Sequence, residues 1–198
     1  MDAGAIIGIV KLEPRWRWGL TVAAISCAYA LVVPELNSGG LPWNQGSSYA
    51  LVRALADGTP KIDRYTWQSG DISYFRGHYY SVRAPGLALL EVPVYAALRA
   101  VGVAPEGSPV TATSRAQGAL GMLWALGLVG AVLPGIAVVL LVRNAADRLV
   151  SGSGALCAAI VGLATLMLPF SSMLFVHAFS TMLGFAAFTL ERKAFQKS

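Results

Sequence analysis

Long apolar blocks separated by shorter polar stretches are the main pattern of this chain. Four blocks contain almost no charged residues, and they cover residues 16–34, 116–142, 154–170 and 174–191. A helix that crosses a bilayer needs about 20 predominantly apolar residues, and the last two blocks are slightly short of that length. The pattern predicts an all-α polytopic membrane protein, a single module over 1–198 with about four spanning helices.

A fifth apolar stretch, residues 85–104, carries charges that argue against a spanning role. Glu91, Pro93 and Arg99 lie within it. A charged residue near the centre of a spanning helix costs about 2.5–3.5 kcal/mol on insertion scales. We therefore expect a juxtamembrane helix at the interface, with Glu91 paired to an arginine or exposed there. Residues 35–115 then form one large loop between the first two spans.

The basic residues predict the orientation of the chain. With four spans, the clusters at 11–17, 143–148 and 192–197 all lie on one side of the membrane. Lysine and arginine are enriched on the cytoplasmic side of spanning helices. This distribution predicts a cytoplasmic N-terminus and places the loop 35–115 outside the cytoplasm.

Composition agrees with this pattern and narrows the range of partners. Hydrophobic residues make up 56% of the chain and charged residues 13%, whereas soluble domains carry about 25% charged residues. The positive net charge of +5 comes mainly from residues at helix ends, so we expect membrane lipids as partners and no nucleic acid. Cys27 and Cys157 lie inside apolar blocks, which is typical of core residues and not of a disulfide or a metal site.

Local signals in the loop predict a helix. In "SSYALVRALADG", Ser47 is a candidate N-cap and Gly58 a candidate helix end. Arg53 and Asp57 are spaced for an ion pair one turn apart.

A small hairpin is predicted next. The segments "DISYF" and "HYYSV" flank Arg76 and Gly77, a pair that suits a two-residue turn. The "RAPG" that follows stops the second strand and allows a juxtamembrane helix to begin at Pro85.

The order of several short segments resembles a known family. After the first span come "SSYALVRALADG", then "GHYYSVRAPGLALLEVPVY", and later "LPFSSMLFVHAF". This order, over residues 16–190, resembles the N-terminal module of bacterial GT-C-fold glycosyltransferases. The resemblance implies an enzyme of the bacterial plasma membrane that transfers a sugar from a polyprenyl-phosphate donor on the outer face.

The same resemblance implies roles for particular positions and exposes one departure. In this family the first outer loop carries an acidic catalytic residue, and a basic residue before a proline meets the lipid phosphate. Arg83 matches the basic position. Asn44 and Gln45 stand where related enzymes often have an acidic pair, so the acidic role passes to Asp63 or Asp71, or is lost.

Two other classes of function stay open. A non-catalytic or truncated membrane scaffold would explain the missing acidic pair and a chain of 198 residues, which is short for this family. A small transporter subunit is the third hypothesis. Transporters usually hold polar residues within their spans, whereas the polar residues here gather in one outer loop.

The chemistry of sugar transfer indicates three candidate catalytic residues. A carboxylate is needed to deprotonate or orient the acceptor hydroxyl. Asp71 at the base of the hairpin is the first candidate, and Asp63 is the second. His177 is the third, because it follows the break at Pro169 and lies at the outer end of the fourth block, where an ionisable residue commonly serves a function.

Each candidate catalytic residue also has a purely structural interpretation. Asp71 is suited to a turn or a cap. Asp63 is placed to form an ion pair with Lys61 or Arg64. His177 is suited to packing with one hydrogen bond.

Four further residues are candidates for substrate binding. Arg83 is expected to bind the lipid phosphate, with an interfacial anchor as the alternative. His78 is a second phosphate candidate, with a polar surface role as the alternative. Tyr79 and Tyr80 offer rings to a sugar, or take part in the aromatic belt of the interface.

The expected site needs no resident cofactor. Neither a glycine-rich phosphate loop nor a metal-binding motif occurs in the sequence. A divalent metal held by Asp63 and Asp71 stays open. We expect Asp71 and His177 to line one outward-facing cleft, with Arg83 at its mouth.

Overall fold

The computed structural model describes residues 14–37, 43–103 and 122–195, and these residues are mostly helical. The helices are α1 (Pro14–Asn37), α2 (Trp43–Ala56), α3 (Pro85–Ala100), α4 (Met122–Leu149), α5 (Gly154–Leu163), α6 (Met167–Phe170) and α7 (Val176–Phe195). A 3₁₀ helix (Asp63–Gln68) precedes two antiparallel strands, β1 (Ile72–Phe75) and β2 (His78–Ser81).

Helix α4 is long and apolar enough to cross a membrane. Its 28 residues extend about 42 Å at 1.5 Å per residue, which exceeds the roughly 30 Å of a hydrocarbon core. Within the described residues it is the one helix that meets both conditions, because the apolar stretches Trp18–Leu31 and Gly154–Leu163 are shorter. The four-span arrangement therefore stays a prediction.

The predicted third block, 154–170, is divided into two helices. Helix α5 ends at Leu163, before the one-turn helix α6. Between them, the Thr165 hydroxyl donates to the Val161 carbonyl at 2.6 Å and accepts from the Met167 backbone N–H at 3.1 Å. A side chain that hydrogen-bonds nearby backbone groups in this way competes with the regular helical ladder.

Helices α1 and α4 run antiparallel. The indole N–H of Trp124, near the start of α4, donates to the carbonyl of Ala30 at 3.2 Å. At the other end, the Arg143 guanidinium lies 4.2 Å from the centroid of the Trp18 ring. The N-terminal half of α1 therefore lies beside the C-terminal half of α4.

Helices α2 and α3 pack together next to the start of α4. Their shared core includes the rings of Tyr49 and Tyr95, whose centroids lie 6.1 Å apart, and the side chain of Met122. The Gln45 side chain is fully buried, and its carbonyl oxygen accepts the backbone N–H of Leu174 at 3.2 Å. This bond ties α2 to the chain just before α7.

The predicted hairpin and the start of α3 at Pro85 are confirmed. Arg76 and Gly77 form the turn with φ of 48° and 84°, the left-handed conformation that a type I′ hairpin turn needs at both central positions. Gly58, with φ of 81°, lies just past α2 as predicted. Ser47 is not the N-cap, because α2 begins at Trp43 and Ser47 is buried inside it.

The predicted pair between Arg53 and Asp57 is wrong. Arg53 is buried, and its guanidinium stacks over the Tyr65 ring at 4.2 Å. Asp57 instead accepts a hydrogen bond from the Tyr65 hydroxyl at 2.5 Å and pairs with Arg99 at 3.1 Å. Burial raises the pKa of Asp57, but these hydrogen bonds outweigh it and hold the pKa below its ordinary value.

Candidate ligand-binding cleft

A small cleft lies where α2, the start of α3 and the start of α7 meet. Its volume is about 70 Å³, which is room for roughly five water-sized groups. Its lining combines apolar side chains with polar and ionisable ones. The apolar residues include Leu51, Leu87, Ala88, Phe175 and Val176, and the polar residues are Asn44, Ser48, Arg83, Glu91 and His177.

The position of Arg83 is set by the end of the hairpin. The backbone N–H of Arg83 donates to the Ser81 hydroxyl at 3.1 Å, and the Ser81 and Ser47 hydroxyls lie 2.7 Å apart. Because Pro85 then begins α3, the side chain of Arg83 is held between the hairpin and two helices. One end of its guanidinium forms an ion pair with Asp71.

Several polar atoms in the cleft are buried and have no hydrogen-bond partner among the described residues. They are Oδ1 of Asn44, Nε of Arg83 and both carboxyl oxygens of Glu91. More than 90% of buried polar groups in proteins are paired, so unpaired ones require an explanation. The three residues that carry these four atoms all line the same cleft.

Glu91 is fully buried, which contradicts the expectation that it is exposed or paired with an arginine. Its carboxyl lies against Gly130 of α4, and a Cβ at that position would overlap Glu91 Oε1. The glycine thus makes room for the carboxyl in the core. Burial raises the pKa of Glu91 to about 8.

His177 lies at the first turn of α7 on the rim of the cleft. It is exposed, and its ring packs against two phenylalanines, with centroids 4.5 Å from Phe170 and 5.8 Å from Phe175. The structure thus brings His177 and Arg83 to one cleft. Asp71 was expected to line it as well, but it lies outside the lining and is connected to the cleft through its ion pair with Arg83.

A second polar cluster lies at the other end of the hairpin. Asp63 accepts hydrogen bonds from the Tyr79 backbone N–H at 2.7 Å and from His78 Nδ1 at 2.8 Å. These two bonds lower the pKa of Asp63, the backbone bond being the larger cause. His78 Nε2 lies 3.0 Å from Lys61 Nζ and accepts a hydrogen bond from it in this tautomer.

This cluster is separate from the cleft. His78 is three residues before Ser81 on the same strand, which corresponds to roughly 10 Å at 3.3 Å per residue. The sequence predicted an ion pair of Asp63 with Lys61 or Arg64. In the structure, the side chain that contacts the Asp63 carboxylate directly is His78. Asp63 and His78 therefore do not share a site with Arg83.

The two tyrosine candidates do not line the cleft. Tyr79 faces Tyr74 across the hairpin, with ring centroids 4.9 Å apart, and both rings are exposed. Tyr80 is half-buried opposite Ser73. The sugar-binding and the interfacial roles of these two rings both stay predictions.

The described part of the chain contains no cluster of side chains suited to hold a metal ion. No group of three or more histidine, cysteine or acidic side chains there is placed to hold an ion. Asp63 and Asp71 are bound to different partners, His78 and Arg83.

Three polar residues of the cleft were not predicted as site residues: Asn44, Ser48 and Glu91. The sequence carried one signal for Glu91, a single charge inside an apolar stretch. For Asn44 the signal was its position, where the resemblance expects an acidic residue.

Comparison with known proteins found no relative: no family model, no curated protein and no solved structure matches this chain.

Proposed function

We propose that this chain is a glycosyltransferase-like membrane protein that binds a polyprenyl-phosphate sugar in the cleft beside Arg83. The observation that carries the proposal is that Asn44, Arg83 and Glu91, which each hold an unpaired buried polar atom, line one cleft together with apolar side chains. A polyprenyl-phosphate sugar has matching chemistry: its phosphate accepts hydrogen bonds from a guanidinium such as that of Arg83, its sugar hydroxyls donate to oxygens such as Asn44 Oδ1, and its chain needs apolar surface.

Arg83 is the residue placed to receive the phosphate. Its Nε is buried and unpaired among the described residues, while its other end is held by Asp71. Guanidinium groups bind phosphate through two parallel hydrogen bonds. A phosphate in the cleft would compete with Asp71 for this guanidinium and release the carboxylate.

The released carboxylate of Asp71 then serves as the acceptor's base. The bond between the anomeric carbon and the phosphate oxygen breaks, and the acceptor oxygen bonds to that carbon. The electron pair leaves with the phosphate, whose added charge Arg83 stabilises, and the acceptor proton moves to Asp71. His177 on the rim is positioned to bind the acceptor or the sugar.

The membrane arrangement is part of the same proposal. The antiparallel contact of α1 with α4 puts Trp18 beside Arg143, at the end where the basic clusters lie. The positive-inside rule then favours a cytoplasmic position for this end. The cleft is near the opposite end of α4, because α3 packs against Met122, so it faces outward in the proposed plasma-membrane orientation.

A non-catalytic scaffold is the second candidate. It is favoured by Asn44 and Gln45, since neither amide can act as a base and Gln45 is committed to binding the Leu174 backbone. A scaffold would bind the lipid phosphate without transferring sugar.

The test compares Arg83→Ala with Arg76→Ala in the full chain purified in detergent. Both substitutions remove one arginine, but Arg76 lies at the exposed tip of the hairpin. Binding of farnesyl phosphate should weaken about tenfold or more in Arg83→Ala, as expected for a lost charge-assisted hydrogen bond, and stay unchanged in Arg76→Ala. Equal affinities in the two variants would reduce Arg83 to an anchor. Sugar transfer from a polyprenyl-phosphate sugar, measured on the same samples, separates the enzyme from the scaffold.

A further inference from the structure

Glu91 is the cleft residue whose burial is least explained by the contacts of the fold. Its side chain is completely buried, both carboxyl oxygens lack a hydrogen-bond partner among the described residues, and it lines the cleft. Burying an ionised carboxylate without a partner is strongly unfavourable, and such groups become neutral instead. A neutral carboxylic acid has one O–H donor.

The groups that face Glu91 do not offer it a counter-charge. Helix α2 presents Asn44 and Ser48, which are uncharged, and α4 presents Gly130. The start of α7 contributes His177, and the end of the hairpin contributes Arg83, which is already paired with Asp71. Desolvation is accordingly the cause that raises the pKa of Glu91 to about 8.

We propose that Glu91 is a specificity residue of the cleft, whose carboxylic acid donates a hydrogen bond to a phosphate oxygen of the bound lipid, both in the sugar donor, a phosphodiester, and in the phosphate monoester that transfer leaves. The inference rests on the proposed function, since it concerns the same lipid phosphate. Arg83 supplies charge at one side of the phosphate, and Glu91 supplies an uncharged donor at the other.

This arrangement makes phosphate binding dependent on pH. When Glu91 loses its proton, the cleft gains a negative charge next to the anionic ligand and loses the donor. Above pH 7.5 a phosphate monoester already carries nearly its full charge, because its second pKa is about 6. A loss of affinity between pH 7.5 and 9.5 therefore reports on the protein and not on the ligand.

The experiment measures the affinity of farnesyl phosphate for the full chain in detergent at pH 7.5 and 9.5. Wild-type affinity should fall by roughly 20-fold over this window, the ratio of neutral fractions for a group that titrates near 8. Glu91→Gln keeps the shape and a donor, so its affinity should be similar at both pH values. Glu191→Gln, which removes an exposed carboxyl outside the cleft, is the matched control and should retain the wild-type pH dependence.

An infrared titration of the ligand-free protein supplies a second readout. The carbonyl stretch of a protonated carboxylic acid should disappear between pH 7 and 9 in wild type and be missing in Glu91→Gln. Wild-type binding without pH dependence, or the same pH dependence in Glu91→Gln, would overturn the role of Glu91 and leave the proposed function standing. Failure of every variant to bind farnesyl phosphate at any pH would overturn both.

Discussion

Asp71 and Arg83 form an ion pair across the base of the hairpin, where Ile72 and Ser81 are the last paired residues of the strands. The pair joins the best-placed carboxylate to the cation that lines the cleft. Both side chains are about one third exposed, at 31% and 33%. A pair in such a setting contributes little to stability, so it is free to exchange partners when an anion arrives.

Removing the carboxylate of this pair should change binding and catalysis in opposite directions. Asp71→Asn frees Arg83 from its competitor, so affinity for farnesyl phosphate should rise about fivefold, which corresponds to about 1 kcal/mol. Sugar transfer should fall at least about 100-fold, because the acceptor loses its base. Binding is measured by calorimetry and transfer by release of polyprenyl phosphate.

Asp63→Asn is the control for that experiment, since Asp63 lies at the other end of the hairpin. It should leave phosphate affinity and transfer at wild-type values. Loss of transfer in Asp63→Asn with none in Asp71→Asn would move the catalytic role to Asp63.

The buried carboxyl of Glu91 should make the fold less stable as pH rises. Its pKa is raised from 4.5 to about 8 in the folded protein. A carboxyl whose pKa is higher in the folded protein than in the unfolded chain contributes its full stability below the unfolded pKa. This contribution to the free energy of unfolding is lost as pH rises towards 8. At pH 8.5 Glu91→Gln should therefore be more stable than wild type by at least about 1 kcal/mol.

Thermal unfolding in detergent at pH 5 and pH 8.5 measures this effect on Glu91. The difference in Tm between Glu91→Gln and wild type should be larger at the higher pH. Glu191→Gln, which removes an exposed carboxyl, should show no such change. A pH-independent difference for Glu91→Gln would mean that the carboxyl is not neutral in the fold.

The second polar cluster should act on the hairpin alone. Asp63 accepts a hydrogen bond from the Tyr79 backbone N–H. Because the pKa of Asp63 is lowered in the folded protein, the stability that this bond gives the hairpin is present at neutral pH and is lost as pH falls through the folded pKa. Asp63→Asn and His78→Ala should speed hydrogen exchange of the Tyr79 amide several-fold near pH 7. Their affinities for farnesyl phosphate should equal that of wild type, and a loss of affinity would place this cluster in the binding site.

Thiol labelling in intact cells tests the proposed orientation. Single cysteines are placed by Arg76→Cys and Arg148→Cys in a background with Cys27→Ala and Cys157→Ala. Both positions are exposed and lie outside the apolar part of α4. A membrane-impermeant reagent should label the Arg76→Cys protein only. Labelling of the Arg148→Cys protein in unbroken cells would reverse or remove the proposed topology.

The sequence alone determined those features that depend on neighbouring residues. The turn at Arg76 and Gly77, the end of α2 before Gly58 and the start of α3 at Pro85 all follow from backbone preferences. Each preference acts within a few residues, so no knowledge of distant contacts is needed. The apolar stretch of α4 is local information in the same sense.

Tertiary structure decided which side chains share a cleft. Glu91 is buried because Gly130, far along the chain, leaves space for its carboxyl, and this burial raises the pKa of Glu91. Arg53 stacks on Tyr65 and leaves Asp57 to Arg99, although spacing along α2 favoured the pair Arg53–Asp57. Burial and pairing depend on segments that meet only after folding, and a pattern along one helix carries no record of them.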